Sequence, residues 1–341
     1  MYISNGIKVM NKLIIISFIF SAVLIGGLLT YSTSSMIFEV VQKTPIKIAI
    51  NEWPGYAHAF IAQEKGFFEK NGVDVELVFD REYTISQQRY IDGEVNGVFE
   101  VLPDTMFRNT QGSPSKVVYL MDYSETGDVI VGTVNSIEEL KGKTIGIEGV
   151  NTFSHIFALK TIQSYGMTEG DVLFEIVLSQ DVVKRLDDGT IQAGHTWEPT
   201  KSQAIEKGYN VLSDAGDFPH LVTDVLVFDQ LTIDSRPNDI QKIIQSLFEA
   251  QEFQKTNHDE AIRIMAEVQN MDPKFLSSGL EAIFMTNLDE NINVMNPSID
   301  FSLANSIDEI GQFYLERGQI SYKPSFDELI ESKFVNELKK N

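Results

Sequence analysis

Hydrophobic and polar residues alternate along several short stretches of this chain, and segments with helical spacing lie between them. Residues 45–50 alternate and predict a strand. Residues 57–65 predict a helix that ends at Gly66, and residues 73–78 alternate again. A strand, a helix with a glycine stop and a second strand form a βαβ unit, which predicts a parallel sheet.

The same order of elements recurs about a hundred residues later. Residues 144–148 predict a strand, residues 152–165 a helix that ends at Gly166, and residues 172–177 another strand. Because each βαβ unit opens its own sheet, the pattern predicts two similar α/β lobes.

From residue 237 onward the spacing becomes helical. Five apolar residues fall on one helical face: Ile240, Ile243, Ile244, Leu247 and Phe248. Residues 261–265 and 301–314 show the same spacing. We therefore predict a mostly helical tail packed on one lobe.

The N-terminus has the layout of an export signal. Lys8 and Lys12 precede an apolar run at residues 13–29, and small polar residues follow at 32–35. The run is also nearly long enough to span a bilayer. Residues 1–35 are therefore a cleaved signal peptide or a retained membrane anchor, and both interpretations imply an extracytoplasmic protein. Residues 36–44 are the predicted linker.

Composition narrows the possible partners. The 341 residues, 43% of them hydrophobic, suffice for two packed domains. With 27 Lys and Arg against 49 Asp and Glu, the formal net charge is −22. Such a surface repels nucleic acid and anionic lipid, so neither is an expected partner except through an uncleaved N-terminal segment.

The chain contains no cysteine, which excludes disulfides, thiol catalysis, cysteine-ligated metals and a lipid-modified N-terminal cysteine. Its five histidines show no metal-binding spacing. The sequence also has no phosphate loop, dinucleotide glycine fingerprint or nucleophile elbow. We therefore expect no metal, no cofactor and no enzymatic activity.

Candidate binding residues come from the rule that ligands bind beyond the carboxyl ends of strands in open α/β sheets. Both tryptophans follow predicted strands, which suggests a stacking pocket. The predicted ligand-binding residues are Trp53, Tyr56, Glu100, Asp104, Asp122, Tyr123, Ser154, His195, Trp197 and Glu198.

Several of these residues have a structural interpretation that the sequence leaves open. Trp53 and Trp197 are equally suited to packing, and His195 to a structural hydrogen bond. Asp122 suits a turn cap. Ser154 suits an N-cap or a helix start that offers N–H groups to an anion.

Short motifs carry a family resemblance over residues 45–240. Trp-Pro-Gly-Tyr at 53–56 with the following segment 62–77, and the segments 121–128, 138–146 and 194–199, occur in the order of a known family. The chain resembles the substrate-binding proteins of nitrate, sulfonate, taurine and thiamine-precursor importers, the SsuA/THI5-like family.

The resemblance implies a type II periplasmic-binding fold, an α/β fold in which hinge strands join two lobes with mixed sheets. Residues 45–128 and 224–341 would form lobe 1, and residues 129–223 lobe 2. Residues 129–131 and 225–227 would be the crossover strands. A solute would be clamped between the lobes.

The function implied is capture of a small solute, by a monomer that delivers it to an ABC permease and ATPase complex. One alternative is a membrane-anchored, ligand-sensing co-receptor for a signalling partner. A second is a pyrimidine-precursor synthase of the same fold family, which the absence of cysteine disfavours because that enzyme resemblance brings a cysteine-rich iron motif.

The charge of the candidate loops bears on the solute. They contain no Arg, and their carboxylates are Glu52, Glu100, Asp104, Asp122, Glu148 and Glu198. Oxyanion sites favour Arg or Lys, whereas carboxylates with Trp and Tyr suit cations. We predict an amine-bearing, zwitterionic or heteroaromatic solute, unless several of these carboxylates face solvent.

Overall fold

The structure is a computed structural model that describes residues 44–300 and 302–339. The predicted signal peptide or anchor at 1–35, and all but the last residue of the predicted linker, lie outside the described residues. Within the described ranges, no helix is both long enough and apolar enough to span a bilayer.

The described residues form two mixed β-sheets. Strand order in the first sheet is β11-β4-β10-β3-β1-β2. Its strands are β1 (Ile46–Ile50), β2 (Val75–Phe79), β3 (Gly97–Val101), β4 (Ser115–Ser124), β10 (Thr223–Asp229) and β11 (Ile283–Met285). Strand β1 runs parallel to β2 and β3, whereas β10 runs antiparallel to β3 and β4.

The second sheet repeats this plan, with the order β7-β6-β8-β5-β9. Its strands are β5 (Val129–Gly132), β6 (Thr144–Ile147), β7 (Leu173–Ile176), β8 (Ala193–Thr196) and β9 (Asn210–Asp214). Strand β6 is parallel to β7 and β8, and β5 is antiparallel to β8 and β9. Both predicted βαβ units are therefore confirmed.

Helices connect and cover the strands. Those of the first half are α1 (His58–Glu64), α2 (Phe67–Lys70), α3 (Tyr83–Ile91), α4 (Leu102–Thr110), α5 (Phe153–Ser164), α6 (Val182–Asp187) and α7 (Thr200–Glu206). The predicted stop between α1 and α2 is confirmed, because Gly66 has a left-handed backbone (φ 69°) that glycine adopts without strain.

The tail is mostly helical, as predicted. Its helices are α8 (Gln230–Ser235), α9 (Pro237–Thr256), α10 (His258–Gln269), α11 (Pro273–Glu281), α12 (Leu288–Val294), α13 (Leu303–Glu316), α14 (Phe326–Leu329) and α15 (Lys333–Leu338). Helices α9 and α10 pack on α1, so the apolar face of the tail covers the first sheet. The short strand β11 was not predicted.

Three strands extend further than the sequence pattern indicates. Asp122 and Tyr123 lie inside β4, Glu100 lies inside β3 and His195 lies inside β8, so their placement in loops was wrong. The pattern fails because a buried carboxylate is tolerated within a strand when neighbouring groups satisfy it. Asp122, for example, pairs directly with Asp224 of β10.

The chain passes between the sheets twice, through residues 125–128 and 215–222. The predicted crossover segment 129–131 begins the second sheet as part of β5, and the segment 225–227 lies within β10 of the first sheet. The division into lobes at residues 128 and 224 stays a prediction.

Candidate ligand-binding site

A narrow cavity of about 10 Å³ lies between residues that follow strands of both sheets. Its lining residues are Asn51, Trp53, Tyr56, Tyr83, Val101, Asp128, Phe153, Trp197, Val222 and Asp224. Asn51 and Trp53 follow β1, Trp197 follows β8, and Asp128 belongs to a connection between the sheets. This is the position at which open α/β sheets bind ligands.

Half of the ten lining residues are aromatic, and their rings support one another. Trp53 and Trp197 meet edge to face, with ring centroids 6.4 Å apart. Tyr83 packs in the same way on Phe153 at 5.1 Å and on Trp197 at 6.4 Å. Edge-to-face pairs are a preferred aromatic arrangement, so rings from the two sheets form one continuous wall.

Trp53 is fixed by Asp122, which lies directly behind it. The indole Nε1 donates to both carboxylate oxygens of Asp122, at 3.2 and 3.3 Å. The short helical turn at Pro54–Tyr56 brings Gly55 against the same carboxylate. A Cβ on Gly55 would lie 1.8 Å from Asp122 Oδ2, so only glycine permits this approach.

Asp122 and Asp224 form a buried carboxyl pair on neighbouring strands. Burial chiefly raises the pKa of Asp122 to about 8, and the nearby charge of Asp128 adds to the shift. The pKa of Asp224 lies well above its usual range because of burial and the charge of Asp122. Tyr56 donates its hydroxyl to Asp224. With both pKa values raised above their usual range, the two carboxyls share a proton at neutral pH.

Asp128 supplies a third carboxylate, from the first connection between the sheets. Its backbone N–H donates to Ser124 Oγ at 2.9 Å. Its Oδ1 lies 3.2 Å from Nε2 of His195, a buried residue inside β8. The rings of Phe153 and Phe157 flank the imidazole, each with its centroid at 5.3 Å. His195 therefore supports Asp128 from behind the cavity wall.

Three oxygen acceptors on the lining residues have no hydrogen-bond partner within the described part of the chain. They are Asn51 Oδ1, Asp128 Oδ2 and Asp224 Oδ2. Asp224 also shares a proton with Asp122. Buried acceptors are normally paired, because an unpaired one loses its hydration without compensation. The cavity is therefore suited to a ligand with hydrogen-bond donors.

Asp104 joins the two halves of the structure at one end of the cavity. It lies in the first turn of α4 and accepts hydrogen bonds from Tyr83 Oη at 2.7 Å and Gln87 Nε2 at 3.1 Å. Its other oxygen accepts the backbone N–H of Phe153, the first residue of α5, at 2.7 Å. Burial raises the pKa of Asp104 to about 7 although these donors lower it.

The structure brings some of the predicted site residues to the cavity and leaves others away from it. Trp53, Tyr56 and Trp197 line it. Asp122, Asp104 and His195 contact or support lining residues, as described above. The remaining four, Glu100, Tyr123, Ser154 and Glu198, are not among the lining residues.

These four have other neighbours. Glu100 pairs with Arg108, whose Nη1 donates at 2.6 Å. Tyr123 packs on the His220 ring. Ser154 Oγ accepts the backbone N–H of Glu148 at 3.1 Å. Glu198 Oε1 accepts the hydroxyl of Ser202 at 3.0 Å.

The interpretation that several candidate carboxylates face solvent is wrong. All six are at most 6% exposed: Glu52, Glu100, Asp104, Asp122, Glu148 and Glu198. Burial raises the pKa of Glu52 to about 7, despite the Arg81 charge, and that of Glu148 to about 8, despite the Ser179 N–H bond. Acidic groups are therefore part of the interior and not only of the surface.

The sequence prediction missed most of the polar lining. Asp128 and Asp224 were not proposed, although each adjoins a predicted crossover strand, which is the signal that marks them. Asn51, Tyr83 and Phe153 were missed because nothing in local sequence separates them from packing residues. Within residues 44–300 and 302–339, no cluster of three or more His, Asp or Glu has a metal-binding arrangement.

Comparison with known proteins gives a family and a fold. The family model described as NMT1/THI5 like matches residues 53–261. A 4-amino-5-hydroxymethyl-2-methylpyrimidine phosphate synthase from Uromyces fabae is 28% identical over 158 residues, 45% of this chain and 46% of that protein. A riboflavin-binding protein from Chloroflexus aurantiacus is 26% identical over 215 residues, 60% of each chain. The chain thus spans about half the length of these curated relatives.

Solved structures share the fold at low sequence identity. The ligand-binding component of an ABC-type import system from Staphylococcus aureus, solved with zinc bound, matches with a TM-score of 0.72 and 16% identity, over 86% of this chain and 99% of that one. The periplasmic aliphatic sulphonate-binding protein of Escherichia coli matches with a TM-score of 0.68 and 15% identity, over 86% and 100%. The predicted periplasmic-binding fold is confirmed.

Proposed function

The chain belongs to the NMT1/THI5-like family, and from this premise we propose that it is an extracytoplasmic solute-binding protein that delivers a small organic solute to an ABC importer. The predicted family is thereby confirmed. The permease and ATPase are the partners proposed, by analogy with the import components and binding proteins that share the fold.

The cavity between the two sheets is the observation that carries this proposal. A solute there would contact residues of both sheets and Asp128 of the first connection at once. Contacts from both sides stabilise a closed state over an open one by the solute's differential affinity for the two. A permease that recognises the closed state would then respond to the loaded protein.

The lining supports an amine-bearing, zwitterionic or heteroaromatic solute. Aromatic faces attract cations and stack on flat rings, and the unpaired acceptors favour N–H donors. A heteroaromatic solute is also in keeping with the relatives named for a pyrimidine and for riboflavin. The cavity is far smaller than the roughly 300–1,000 Å³ of drug-sized ligand sites, so entry of a solute requires the two sheets to move apart.

A thermal-shift screen of the purified protein tests this function. We expect selected amines or pyrimidines to raise the melting temperature, because a solute at a hundred times its Kd adds about 2.7 kcal/mol to the free energy of unfolding. Nitrate, sulfate and taurine serve as comparison solutes. A melting temperature that rises only with oxyanions would contradict the solute class, and one that responds to no solute would contradict the function.

A synthase is the second candidate, because relatives carry that name over 45% of this chain. The two functions differ in what becomes of a bound pyrimidine. Mass spectrometry of the solute released after overnight incubation should recover it unchanged if the protein only binds. A new product whose yield grows with time would establish an enzyme instead.

A further inference from the structure

Three residues that line the cavity each have an unpaired oxygen acceptor. Asn51 follows β1, Asp128 ends the first connection and Asp224 lies at the start of β10, and all three residues are at most 2% exposed. Each contributes an oxygen that accepts no hydrogen bond within the described part of the chain, apart from the proton that Asp224 shares with Asp122. Three buried acceptors without donors point to a donor-rich group as their partner.

The charges that face these acceptors are almost all negative or neutral. Asp122 lies against Asp224 from β4, and Tyr56 donates to Asp224 from the turn after β1. Glu148 interacts with Asp128 from beyond β6 and stays protonated at neutral pH, because burial raises its pKa to about 8. His195 of β8 lies against Asp128, with its Nε2 3.2 Å from Oδ1. The ten lining residues include no Lys or Arg, so the protein supplies no permanent cation of its own at this wall.

A metal ion does not fit this arrangement. The Asp and His side chains here do not form a metal-binding cluster among the described residues. The remaining wall is aromatic, from Trp53, Tyr83 and Trp197, and aromatic faces attract organic cations. The acceptors and the rings together suit a flat or compact organic cation with several N–H groups.

We propose that the solute carries a cationic nitrogen group with at least two N–H donors and that this group binds between Asn51, Asp128 and Asp224. This inference rests on the proposed function and specifies the chemistry of the same site. When this group binds, the proton shared by Asp122 and Asp224 passes to the solvent, so the net charge of the carboxyl cluster is unchanged.

The position of the carboxylates links recognition to closure. Asp128 ends the first connection between the sheets, and Asp224 lies just after the second. A cation that bridges them relieves the repulsion between two buried negative charges only when both carboxylates are close. The cation therefore stabilises the closed arrangement more than an open one.

Three probes of the same size test the charge requirement on the whole protein. Benzamidine is a flat cation with four N–H donors, benzamide is its neutral analogue and benzoate its anionic analogue. We expect benzamidine to bind at least about tenfold more tightly than benzamide, and benzoate most weakly. Equal affinities for benzamidine and benzamide, tighter binding of benzoate, or no binding of benzamidine at millimolar concentration would each overturn the proposal.

Proton release is a second and independent readout. Calorimetric titration of benzamidine in two buffers with different ionisation enthalpies, at about pH 7, should show between about half a proton and one proton released per site. The affinity should rise between about pH 6 and pH 8.5, because benzamidine stays charged while the carboxyl pair loses its proton. Binding without proton release and without this pH dependence would contradict the exchange.

Asp128→Asn tests the residues, with Asp308→Asn as the control. Asp308 is an exposed carboxylate of α13, so its substitution makes the same change in net charge away from the cavity. We expect Asp128→Asn to reduce the preference for benzamidine over benzamide at least about fivefold, and Asp308→Asn to preserve it. Circular dichroism shows whether each variant is folded. If Asp128→Asn does not fold, the number of protons released by the unmodified protein on binding benzamidine tests the proposal instead.

These outcomes separate the two proposals. Equal binding of charged and neutral ring compounds would overturn the cation requirement and leave solute binding in place. Failure of the whole thermal-shift screen would remove the proposed function itself.

Discussion

At the scale of single residues, the site depends on hydrogen bonds to carboxylates inside the protein. Asp122 accepts from Trp53, Asp224 from Tyr56 and Asp104 from Tyr83. A buried carboxyl group is costly unless such donors or a proton compensate it. Aromatic residues with a polar end meet this need, because they combine an apolar ring for the cavity wall with a donor directed behind it.

The Trp53 indole shows how much one such donor contributes. In Trp53→Phe the ring is largely kept but Asp122 loses the Nε1 donor. We expect a loss of about 1–3 kcal/mol in the free energy of unfolding beyond the packing change, measured by urea denaturation at neutral pH. Trp197→Phe is the matched control, because it makes the same change of side chain in the same cavity wall. Trp197 packs edge to face on Trp53 and at a tilt on Phe153. Equal losses in the two variants would show that the bond to Asp122 adds nothing.

At the scale of elements, the first turn of helix α5 meets helix α4. The N-terminus of a helix attracts negative charge, and binding proteins for anions can use such a position for their ligand. Here the carboxylate of Asp104, from α4, occupies the Phe153 N–H at 2.7 Å. The sequence allowed an anionic ligand to bind at the helix start near Ser154. A carboxylate of the protein itself accepts from that helix start, which is in keeping with a solute that is not an oxyanion.

The contact of Asp104 with α5 should favour closure without solute. In Asp104→Ala we expect the ligand-free protein to have a larger radius of gyration by small-angle X-ray scattering, because the hydrogen bond between α4 and α5 is lost. Ser154→Ala is the control, since Ser154 Oγ accepts the N–H of Glu148 within the second-sheet part of the chain. An unchanged radius in Asp104→Ala, or the same increase in both variants, would contradict a role in closure.

At the scale of the whole molecule, acidic groups dominate both surface and interior. The formal net charge is −22, and burial raises the pKa of five interior carboxyls: Glu52, Asp104, Asp122, Glu148 and Asp224. An unfolded carboxyl loses its proton near pH 4, whereas these groups retain theirs to about pH 7 or above in the folded protein. The folded state therefore binds more protons than the unfolded state between these limits, and its stability falls as the pH rises.

We accordingly expect greater stability at about pH 5 than at about pH 8. One carboxyl whose pKa is raised by one unit already corresponds to about 1.4 kcal/mol in the free energy of unfolding, measured by urea denaturation across the pH range. Repulsion among surface charges acts in the same direction but is screened at about 1 M salt, so the trend that persists in salt belongs to the interior. Greater stability at pH 8 than at pH 5 in high salt would contradict the raised pKa values.

Much of the fold was predictable because it depends on local patterns. The alternation in β1 and β2, the helical spacing of α9 and the stop at Gly66 follow from which side chains face the core and which backbone conformation glycine permits. The ends of β3, β4 and β8 were not predictable in this way. Their polar residues resemble loop residues until the partner groups on neighbouring elements are known.

The candidate site was predictable only in part, for the same reason. Trp53, Tyr56 and Trp197 were found because large aromatics after strands are unusual. Asp128 and Asp224 were missed, and Glu100 was proposed although it pairs with Arg108, since the sequence shows a carboxylate but not its neighbour. Contacts between residues about a hundred positions apart arise only when the two sheets come together.

The sequence by itself determined the family, the repeated α/β plan and the acidic, aromatic character of the binding loops. Those properties depend on residue type and on short-range spacing, which the chain carries without folding. Tertiary structure alone decided which carboxylates line the cavity, which are neutralised by a partner and which have an unpaired oxygen. Burial and the distance between charges set these differences, because both the desolvation of a carboxyl and its repulsion from another depend on the three-dimensional surroundings.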